Sequence, residues 1–501
     1  MTRHRGLLIA TIAVCAALVA ACSGTTSSPP AAGIDKIKHV VVIMQENRSF
    51  DTYFGTYPGA DGIAMKDGQP TVCLPAPAGA CEKPFHNAAD VSGGGPHSQT
   101  NAAADIDGAK MDGFVQQAAN GKKGCADPNN PTCTNSATPD VMGWKDAREI
   151  PNYWAYAQNF VLQDRMFEPN ASWSLPEHLF MVSEWSAQCA TAGDPASCVN
   201  ALQNPDRPPD SGKPKGKGKA KGNAKPGAGG GPATTAPPST DAEGDPVAPS
   251  TGPDYAWTDL TYLMHEQNVP WGYYVVAGNE PDCQNDASVS CAPVKQDAKT
   301  PGIWNPLPYF DTVREDGQEA NIQSVGNFYN QAKAGNLPAV SWVVPSGAVS
   351  EHPPGATSAG QAYVTSLVNA VMAGPDWNST AIFVSWDDWG GFYDHVVPPS
   401  VDENGYGLRV PGLVISPYAK KGYIDHQTLS FDAYAKFIED RFLGGQRLDP
   451  KTDGRPDPRP DVRENAKQLG DITAAFNFDQ APRAPQPLPV HPQPGPASIP
   501  G

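Results

Sequence analysis

The stretch that decides the fold is VVVIMQENRSFDTYFG, residues 40–55. It opens with five consecutive apolar residues, and a short apolar run bounded by polar residues predicts a buried β-strand. The run ends at Gln45 and is followed at once by Glu46, Asn47 and Arg48. An acid and an amide in this position form either the polar end of an ordinary strand or the wall of a reaction site. The rest of the sequence has to distinguish the two.

Five further apolar runs resemble this strand, and helical patterns alternate with them along the chain. Together the six runs occupy residues 39–44, 159–167, 269–276, 339–344, 381–386 and 410–416. Nearly continuous apolar strands that alternate with helices predict a parallel sheet covered on both faces. The predicted fold class is therefore α/β, with a mostly parallel central sheet, helices on both faces and loop insertions. In such folds functional sites gather at the carboxyl ends of the strands, where Glu46 and Asn47 lie.

A second strand end carries matching chemistry. The run at residues 381–386 leads directly into Asp387 and Asp388, and adjacent carboxylates repel each other unless a cation neutralises them. With Glu46 and Asn47 they offer three carboxylates and an amide oxygen. These hard ligands suit one divalent ion of the Ca²⁺, Mg²⁺ or Mn²⁺ type. A solvated acidic loop is the alternative for either strand end taken alone.

The segment SWSLPEH, residues 172–178, supplies a candidate hydroxyl. Ser174 precedes Glu177 by three residues, the spacing of a capping box, and Pro176 falls inside the first helical turn. A serine at the amino end of a helix also suits a nucleophile that attacks an anion, because the helix end favours negative charge. The capping role explains Ser174 without catalysis, and Ser172 is the competing hydroxyl.

Two histidines stand in loops that can reach such a site. His97 opens the segment HSQTNAAADIDGAKMDGF, and His352 follows the strand at residues 339–344. A protonated histidine can hold a phosphate oxygen or protonate a leaving alkoxide. A lone histidine in a loop is more often a plain polar residue, so both interpretations stay open.

Composition and charge exclude one class of partner and divide the chain. The 501 residues carry a formal net charge of −17, which argues against nucleic acid as a partner, since phosphate backbones need a basic face. Residues 204–253 have almost no large apolar side chains, which predicts a disordered insertion. The Pro-rich residues 480–501 predict an extended, disordered tail. The folded domain is expected to span residues 34–479.

The amino terminus predicts export. A basic start and an apolar stretch too short to span a membrane are typical of a signal peptide, here over residues 1–21. Small residues directly before Cys22 predict lipidation of that cysteine, with residues 22–33 as a flexible tether. An ordinary secretory signal cut nearby is the alternative. The protein is thus expected outside the cytoplasm, either anchored by lipid to the membrane surface or secreted.

The remaining cysteines agree with an oxidising compartment. Beyond residue 22 they fall into four close pairs in loop-like sequence, which predicts four local disulfides. The pairs are Cys73 with Cys81, Cys125 with Cys133, Cys189 with Cys198, and Cys283 with Cys291. Zinc is the alternative, but none of the pairs has the CxxC spacing of a zinc site.

Six segments of the chain, taken in order, resemble the motifs of a known family. They are QENRSFDTYFGTYPGADGI, DGAKMDGF, SWSLPEHLFMVS, VSWVVPSGAVSEHPP, VSWDDWGGFYDHVVPP and GLRVPGLVISPYAKKGYIDH. Together they resemble the bacterial phosphoesterase family that contains the phosphatidylcholine-type phospholipases C and a group of acid phosphatases. The resemblance spans residues 34–443 apart from the insertion, and it implies an alkaline-phosphatase-like fold.

The resemblance implies a role for each candidate residue. The implied ligands of one divalent metal ion are Glu46, Asn47, Asp387 and Asp388. Ser174 corresponds to a nucleophile that forms a phosphoserine intermediate, and His97 and His352 correspond to phosphate-binding or proton-donating residues. The implied activity is hydrolysis of a phosphate ester, either a phospholipid head group or a small phosphomonoester.

One departure from the family concerns Trp304, which precedes Asn305 where the family often has histidine. The change removes a phosphate contact, and a non-catalytic surface binding lipoprotein on the same fold is the alternative function. A two-metal phosphatase would need further ligands, for which the candidates are Asp394, His395, Asp425 and His426. Arg48 is expected to pair with a nearby acid such as Asp51 and to hold its loop.

Overall fold

A computed structural model of the protein describes residues 32–77, 79, 81–121, 140–205, 253–282 and 293–499. The signal peptide, Cys22 and residues 206–252 of the insertion lie outside these ranges, so the predictions about them have no structural counterpart. The same holds for four of the cysteines: Cys125, Cys133, Cys283 and Cys291. Within the described ranges, no helix has the length and apolar character needed to cross a membrane.

Eight strands form the central sheet. In chain order they are β1 (His39–Gln45), β2 (Val161–Gln163), β3 (Trp271–Val275), β4 (Ile322–Ser324), β5 (Val340–Val344), β6 (Thr380–Trp386), β7 (Gly412–Ile415) and β8 (Tyr423–Asp425). Across the sheet the order is β4-β3-β5-β1-β6-β7-β2-β8. The first strand of the chain therefore lies in the middle of the sheet, between β5 and β6.

The apolar run explains why β1 occupies this central position. Residues 40–45 are all buried, although successive side chains of a strand point to opposite faces of the sheet. Both faces of the sheet are therefore covered, as in parallel α/β folds. β1 pairs in parallel with both neighbours, so that Val42 faces Trp342 on β5 and Phe383 on β6. The predicted α/β fold with a mostly parallel sheet is confirmed.

The sheet differs from the prediction in several ways. The two edge strands, β4 and β8, are not among the six predicted runs. β7 runs antiparallel to both β6 and β2, whereas the other seven strands share one direction. Its apolar run looks like those of its neighbours, because a strand buried on both faces has the same pattern in either direction. β2 is shorter than the predicted strand at 159–167 because Asn159 ends a helix and Phe160 caps it.

Ten α-helices lie in the described part of the chain. They are α1 (Phe50–Phe54), α2 (Gln99–Ile106), α3 (Phe114–Gly121), α4 (Pro151–Asn159), α5 (Ser174–Ser183), α6 (Leu260–Glu266), α7 (Asp311–Glu315), α8 (Val325–Ala334), α9 (Thr357–Ala373) and α10 (Phe431–Phe442). Short 3₁₀ segments occupy Gly33–Lys36, Asp107–Ala109, Asp140–Met142, Pro195–Ser197, Leu307–Tyr309, Glu319–Asn321, Pro375–Ser379, Arg463–Asn465 and Ile472–Ala475. All ten residues of α5 are buried, so this helix is part of the core.

Short two-stranded ribbons and two disulfides organise the loops. The ribbons pair Met65–Lys66 with Gln69–Pro70, Leu74–Pro75 with Cys81–Glu82, Phe85–His86 with Gly143–Trp144, Ala187–Cys189 with Cys198–Asn200, and Gly278–Asn279 with Lys295–Gln296. Cys73 is bonded to Cys81, and Cys189 is bonded to Cys198. Two of the four predicted disulfides are thus confirmed.

Residues 480–499 depart from the predicted disordered tail. They run along the domain and form hydrogen bonds with it. The Leu488 amide donates to Asn369 Oδ1 at 3.0 Å, and the Ser498 amide donates to Asp146 Oδ2 at 2.7 Å. Polar side chains of the domain therefore hold a segment whose own composition offers little apolar surface to bury.

Candidate active site

The ends of β1 and β6 meet at one edge of the sheet. Their parallel pairing places Gln45 opposite Trp386, and the Asp387 amide donates a hydrogen bond to the Gln45 carbonyl at 2.9 Å. The four side chains that follow these strand ends are fully buried: Glu46, Asn47, Asp387 and Asp388. The structure therefore brings the two halves of the predicted metal site together.

Gly390 allows the loop after β6 to close against the end of β1. Its φ is +61°, a conformation in which residues with side chains are strained. A Cβ at this position would lie 2.8 Å from the Cβ of Asn47. The Gly390 amide also donates to Asp388 Oδ1 at 2.7 Å. Glycine here lets the loop pack against Asn47 while it holds the Asp388 carboxylate.

The buried strand ends leave several polar atoms unsatisfied. Both carboxylate oxygens of Glu46, both amide atoms of Asn47 and Oδ2 of Asp387 have no hydrogen-bond partner among the described residues. Burial raises the pKa of Glu46 and of Asp387 well above the usual range, and repulsion from a neighbouring carboxylate raises each further. Each buried group left unsatisfied costs about 1–3 kcal/mol. Converging oxygens of this kind fit a divalent cation, so these side chains are candidates to hold one.

Ser174 is the first residue of α5 and not its cap. Trp173 holds the cap position, and no side-chain capping bond is found there in the described residues. The predicted serine cap is therefore wrong by one residue. The Ser174 hydroxyl instead donates to Asp388 Oδ2 at 3.0 Å, and it lies 3.4 Å from Asp282 Oδ2. The hydroxyl thus faces the carboxylates rather than its own backbone.

Asp388 connects the predicted metal site to the hydroxyl. Its Oδ1 accepts from the Gly390 amide and its Oδ2 from Ser174. A carboxylate oxygen can accept two hydrogen bonds or ligands, so these contacts leave Asp388 available to a cation. The same side chain can orient Ser174 and hold a metal ion.

His97 and His352 meet at Asp282, a residue that the sequence does not single out. His97 Nε2 donates to Asp282 Oδ2 at 3.1 Å, and His352 Nε2 lies 3.0 Å from Asp282 Oδ1. The other ring nitrogen of each histidine contacts a backbone carbonyl, Gly95 for His97 at 3.0 Å and Pro353 for His352 at 2.8 Å. Three of the four ring nitrogens are therefore hydrogen-bonded, and His352 Nε2 lies within ion-pair distance of Asp282 without a hydrogen bond among the described residues.

Asp282 and His97 stabilise each other's charged form. Burial opposes ionisation of Asp282, but the charges of His97 and His352 outweigh it and hold the pKa of this carboxyl well below its usual range. Burial likewise disfavours the charged form of His97, yet Asp388 and Asp282 raise the pKa of the imidazole well above its usual value. At neutral pH the cluster therefore holds a carboxylate against an imidazolium, directly beside the Ser174 hydroxyl.

His178 also belongs to the site, and the prediction from sequence omits it. The side chain is fully buried, and Nε2 lies 3.6 Å from Asp387 Oδ2 and 3.8 Å from Glu46 Oε1. His178 follows Ser174 by four residues, so the two share one face of α5. That spacing is the signal that could have found it. Asp282 offers no such signal, because it lies in a loop without periodicity.

Trp304, the departure from the family pattern, lies behind His178. It is fully buried, its ring centroid is 5.4 Å from that of His178, and its carbonyl accepts a hydrogen bond from the Tyr273 hydroxyl at 2.8 Å. Burial lowers the pKa of His178 to about 3, so this imidazole is neutral. Trp304 thus forms an apolar wall at the position where a phosphate contact was expected.

The residues considered for a second metal ion are engaged elsewhere. Arg409 is fully buried and donates to Asp394 Oδ1 at 2.9 Å and to Asp51 Oδ1 at 3.1 Å. His395 Nδ1 lies 2.7 Å from Asp51 Oδ2. The remaining two candidates pair with other side chains: Asp425 and His426. Because the Arg409 guanidinium already lies against Asp394 and Asp51, these two carboxylates belong to a structural ion-pair network.

Arg48 holds its loop, but not through Asp51. Its Nη1 donates to the carbonyl of Asn47 at 2.7 Å and to that of Glu351 at 2.5 Å. The expected pair is wrong because Arg409 and its network occupy Asp51. Arg48 instead ties the end of β1 to the segment that follows β5.

His395 is expected to make the stability of this network depend on pH. Burial lowers the pKa of His395, but Asp51 outweighs burial and raises it to about 9, against about 6.5 in an unfolded chain. A histidine whose pKa is higher in the folded state stabilises the fold. Its contribution to the free energy of unfolding is fully present below about pH 6.5 and is lost as the pH rises towards about 9. We expect His395→Asn to lower the free energy of unfolding by about 1–3 kcal/mol near pH 6, and by much less at alkaline pH. Urea unfolding at both pH values measures the difference.

A matched control for this variant is His426→Asn. His426 also lies beside an aspartate, but its side chain is 61% exposed, so we expect a small change at both pH values. An equal loss of stability at acidic and alkaline pH in His395→Asn would contradict the electrostatic origin of the effect.

The comparison with protein families identifies one match. A model described as the Phosphoesterase family matches residues 37–443. This range contains every side chain of the site, from Glu46 at the end of β1 to Asp388 after β6. The match therefore covers most of the described chain and the whole of the candidate site.

Several bacterial and plant proteins are similar over most of the chain. The non-hemolytic phospholipase C of Burkholderia pseudomallei is 26% identical, over 89% of this chain and 59% of that protein. Phospholipase C B of Mycobacterium tuberculosis is 24% identical, over 91% of this chain and 81% of that protein. Non-specific phospholipase C1 of Arabidopsis thaliana is 23% identical, over 78% of this chain and 62% of that protein. The chain thus spans less than two thirds of the length of the Burkholderia and Arabidopsis relatives.

Proposed function

Because the chain belongs to the Phosphoesterase family, we propose that it is a metal-dependent phosphoric ester hydrolase of the phospholipase C type, acting through a phosphoserine intermediate. One observation carries the proposal. A serine hydroxyl at a helix start, two histidines and a set of unsatisfied oxygen ligands converge at one edge of the sheet. The names of the relatives support a phospholipid ester as substrate. The alternative substrate is a small phosphomonoester, which the same residues would hydrolyse by the same steps.

The metal ion would be held by the two strand ends. Its ligands would be Glu46, Asn47, Asp387 and Asp388. When bound, a divalent ion supplies positive charge that offsets these carboxylates and favours the ionised form of a nearby hydroxyl. The unsatisfied oxygens of Glu46 and Asp387 support this assignment, because a buried carboxylate without a partner is otherwise costly.

Ser174 is positioned to act as the nucleophile. Its Oγ–H bond points to Asp388 Oδ2 at 3.0 Å, so this carboxylate can take the proton as Oγ forms its bond to phosphorus. Ser174 is also the first residue of α5, whose amino end favours the negative charge of the phosphoryl group. Nucleophile and proton acceptor are thus in contact before substrate arrives.

Asp282 must withdraw before His97 and His352 can touch substrate. Three of the four ring nitrogens are hydrogen-bonded to a carbonyl or to Asp282, and the fourth, His352 Nε2, faces Asp282 Oδ1 at 3.0 Å. The Asp282 carboxylate therefore stands where a phosphoryl group would lie. Once it leaves, the two Nε2–H groups can hold phosphoryl oxygens, and one can protonate the leaving alcohol as its bond to phosphorus breaks. Water then cleaves the phosphoserine, which releases phosphate monoester or phosphate and restores the hydroxyl.

The variant Asp282→Ala tests this displacement. Removing the internal anion frees both imidazoles, so we expect inorganic phosphate to inhibit the variant with an inhibition constant at least about tenfold lower near pH 6, where free histidine is mostly protonated. Glu280→Gln is the matched control. That carboxylate lies two residues away on the same segment and accepts from the Ile303 amide, so its loss should leave phosphate inhibition unchanged. An unchanged or higher inhibition constant in Asp282→Ala would contradict displacement.

Export and anchoring at Cys22 are also part of the proposal. Two local disulfides in the described chain support folding in an oxidising compartment. A lipid anchor would place the site next to membrane phospholipid. The non-catalytic alternative loses its main support, because Trp304 packs behind His178 and leaves His97, His352 and Ser174 in place.

A panel of substrates tests the activity. Purified protein would be assayed with p-nitrophenyl phosphorylcholine, p-nitrophenyl phosphate and phosphatidylcholine vesicles, with and without chelator. We expect turnover of the choline esters, loss of turnover after chelation, and recovery when a divalent metal is returned. Turnover of p-nitrophenyl phosphate alone would assign a phosphatase. Failure with every substrate and every metal tried would reject the enzyme.

A further inference from the structure

The imidazole of His178 lies beside Glu46 and Asp387 and makes no hydrogen bond among the described residues. His178 is fully buried, and neither of its ring nitrogens has a hydrogen-bond partner within the described part of the chain. A neutral imidazole has one N–H group and one lone pair, and both need partners when buried. A buried donor or acceptor that is left without a partner keeps its full desolvation penalty. A buried imidazole in this state therefore indicates a missing partner.

The distances around His178 fit a shared ion better than a hydrogen bond. Nε2 lies 3.6 Å from Asp387 Oδ2 and 3.8 Å from Glu46 Oε1, beyond the usual hydrogen-bond range of about 2.7–3.2 Å. Two ligands that each bind one ion at roughly 2.1 Å stand roughly 3–3.5 Å apart. Small side-chain movements would close these three groups around an ion. The two carboxylate atoms also have no hydrogen-bond partner among the residues described.

A protonated His178 between two carboxylates is the competing explanation. The surroundings oppose it, since the ring is fully buried and packs near the Trp304 ring. A charged imidazolium here would be buried without a hydrogen-bonded acceptor among the described residues, which is costly. A neutral imidazole is the form that binds metal ions.

We propose that His178 Nε2 is a further ligand of the metal ion, beside the carboxylates of Glu46 and Asp387. The site then takes a first-row transition ion such as Mn²⁺, Fe²⁺ or Zn²⁺ in preference to Ca²⁺ or Mg²⁺. Imidazole suits the transition ions, whereas Ca²⁺ and Mg²⁺ favour oxygen ligands alone. The proposal rests on the metal site of the proposed function, and it narrows the Ca²⁺, Mg²⁺ or Mn²⁺ expectation drawn from the sequence.

This ligand would also couple two parts of the site. His178 and Ser174 lie one turn apart on α5, and all ten residues of that helix are buried. A metal ion bound to His178 would therefore fix the position of the helix that carries the nucleophile. The same ion would reach β1 through Glu46 and β6 through Asp387.

Pulsed EPR of Mn²⁺ bound to the full chain tests the proposal. In the wild-type protein we expect a ¹⁴N coupling to the Mn²⁺ ion, and we expect it to change to a ¹⁵N pattern when histidine is labelled with ¹⁵N. In His178→Gln the coupling disappears, and Mn²⁺ binds at least about tenfold more weakly. His352→Gln is the matched control and keeps the coupling.

Three results would overturn the proposal. They are a nitrogen coupling that persists in His178→Gln, wild-type protein with bound Mn²⁺ and no nitrogen coupling, and wild-type protein that binds no Mn²⁺. A second measurement needs no variant. Zn²⁺ should displace Mn²⁺ from the wild-type protein at concentrations about 100-fold below those of Ca²⁺, and equal displacement would also reject the proposal. Nitrogen coupling in a protein that hydrolyses no ester would keep this ligand and reject the proposed activity, so the two can fail separately.

Discussion

Replacing Ser174 with alanine is expected to reduce kcat for phosphate-ester hydrolysis by at least about 10⁴-fold, because the variant has no atom to form the covalent intermediate. The fold should survive, since alanine removes only a hydroxyl that is bonded to Asp388 and Asp282. Steady-state rates with p-nitrophenyl phosphorylcholine measure the loss. Acid quenching during turnover of this substrate, followed by mass spectrometry, should find one added phosphorylcholine group on the wild-type peptide that contains Ser174, since p-nitrophenol is the leaving group.

Ser172→Ala provides the matched control for this variant. Ser172 is equally buried, two residues away, but its hydroxyl donates to the Leu202 carbonyl at 3.0 Å. Its loss should leave kcat within a few-fold of wild type. Full activity in Ser174→Ala, or a phosphorylcholine group found on another residue, would remove Ser174 from the nucleophile role.

Replacing Asp387 with asparagine is expected to separate activity from stability. The variant should lose metal-dependent activity, because one carboxylate ligand becomes a neutral amide. Its metal-free form should nevertheless be more stable than metal-free wild type. Burial raises the pKa of Asp387 above its unfolded value, so this carboxyl group destabilises the fold increasingly as pH rises above its unfolded pKa of about 4. Removing a poorly compensated buried charge typically gains about 1–4 kcal/mol.

Thermal unfolding with and without metal measures both parts of this prediction. Metal at 100 times its Kd should stabilise wild type by about 2.7 kcal/mol, and this gain should shrink or vanish in Asp387→Asn. Asp453→Asn is the matched control, since Asp453 is a buried acid that accepts from the Arg455 amide outside the site. An Asp387→Asn protein that is less stable than wild type without metal, yet still stabilised by metal, would contradict the assignment.

The sequence predicts that the four proposed metal ligands come together because strand topology constrains them. Two apolar runs that become central neighbours in a parallel sheet must place their carboxyl ends at the same edge. Glu46 and Asp387 therefore meet although they are far apart in the chain. The alternation of strands and helices predicts that both strand ends lie at this edge, and the order β5-β1-β6 in the structure makes the two strands neighbours.

The other half of the site depends on finer geometry. Ser174 reads as a helix cap, and a shift of the helix start by one residue decides whether its hydroxyl faces its own backbone or the site. His178 follows from helical spacing once Ser174 is assigned, but Asp282 comes from a loop whose path the sequence does not fix. The antiparallel β7 was missed for a similar reason, because a buried strand has the same apolar pattern in either direction.

The tail shows the limit of composition as a guide. Residues 480–499 contain little apolar surface, which predicts disorder. The hydrogen bonds that hold them come from Asn369 and Asp146, two side chains distant in sequence. Composition describes what a segment can bury, and it does not describe what the rest of the domain offers to it.

The position of Asp282 has a consequence for how substrate affinity should be understood. A carboxylate tethered beside His97 and His352 competes with substrate at an effective concentration set by its own loop, typically in the millimolar range for short flexible links. Binding of a phosphate ester is then an exchange of one anion for another, and the measured KM reports the difference between two sets of contacts. A high KM would accordingly be compatible with strong phosphate contacts, and a substrate with more negative charge on its phosphoryl group would have the advantage in this exchange.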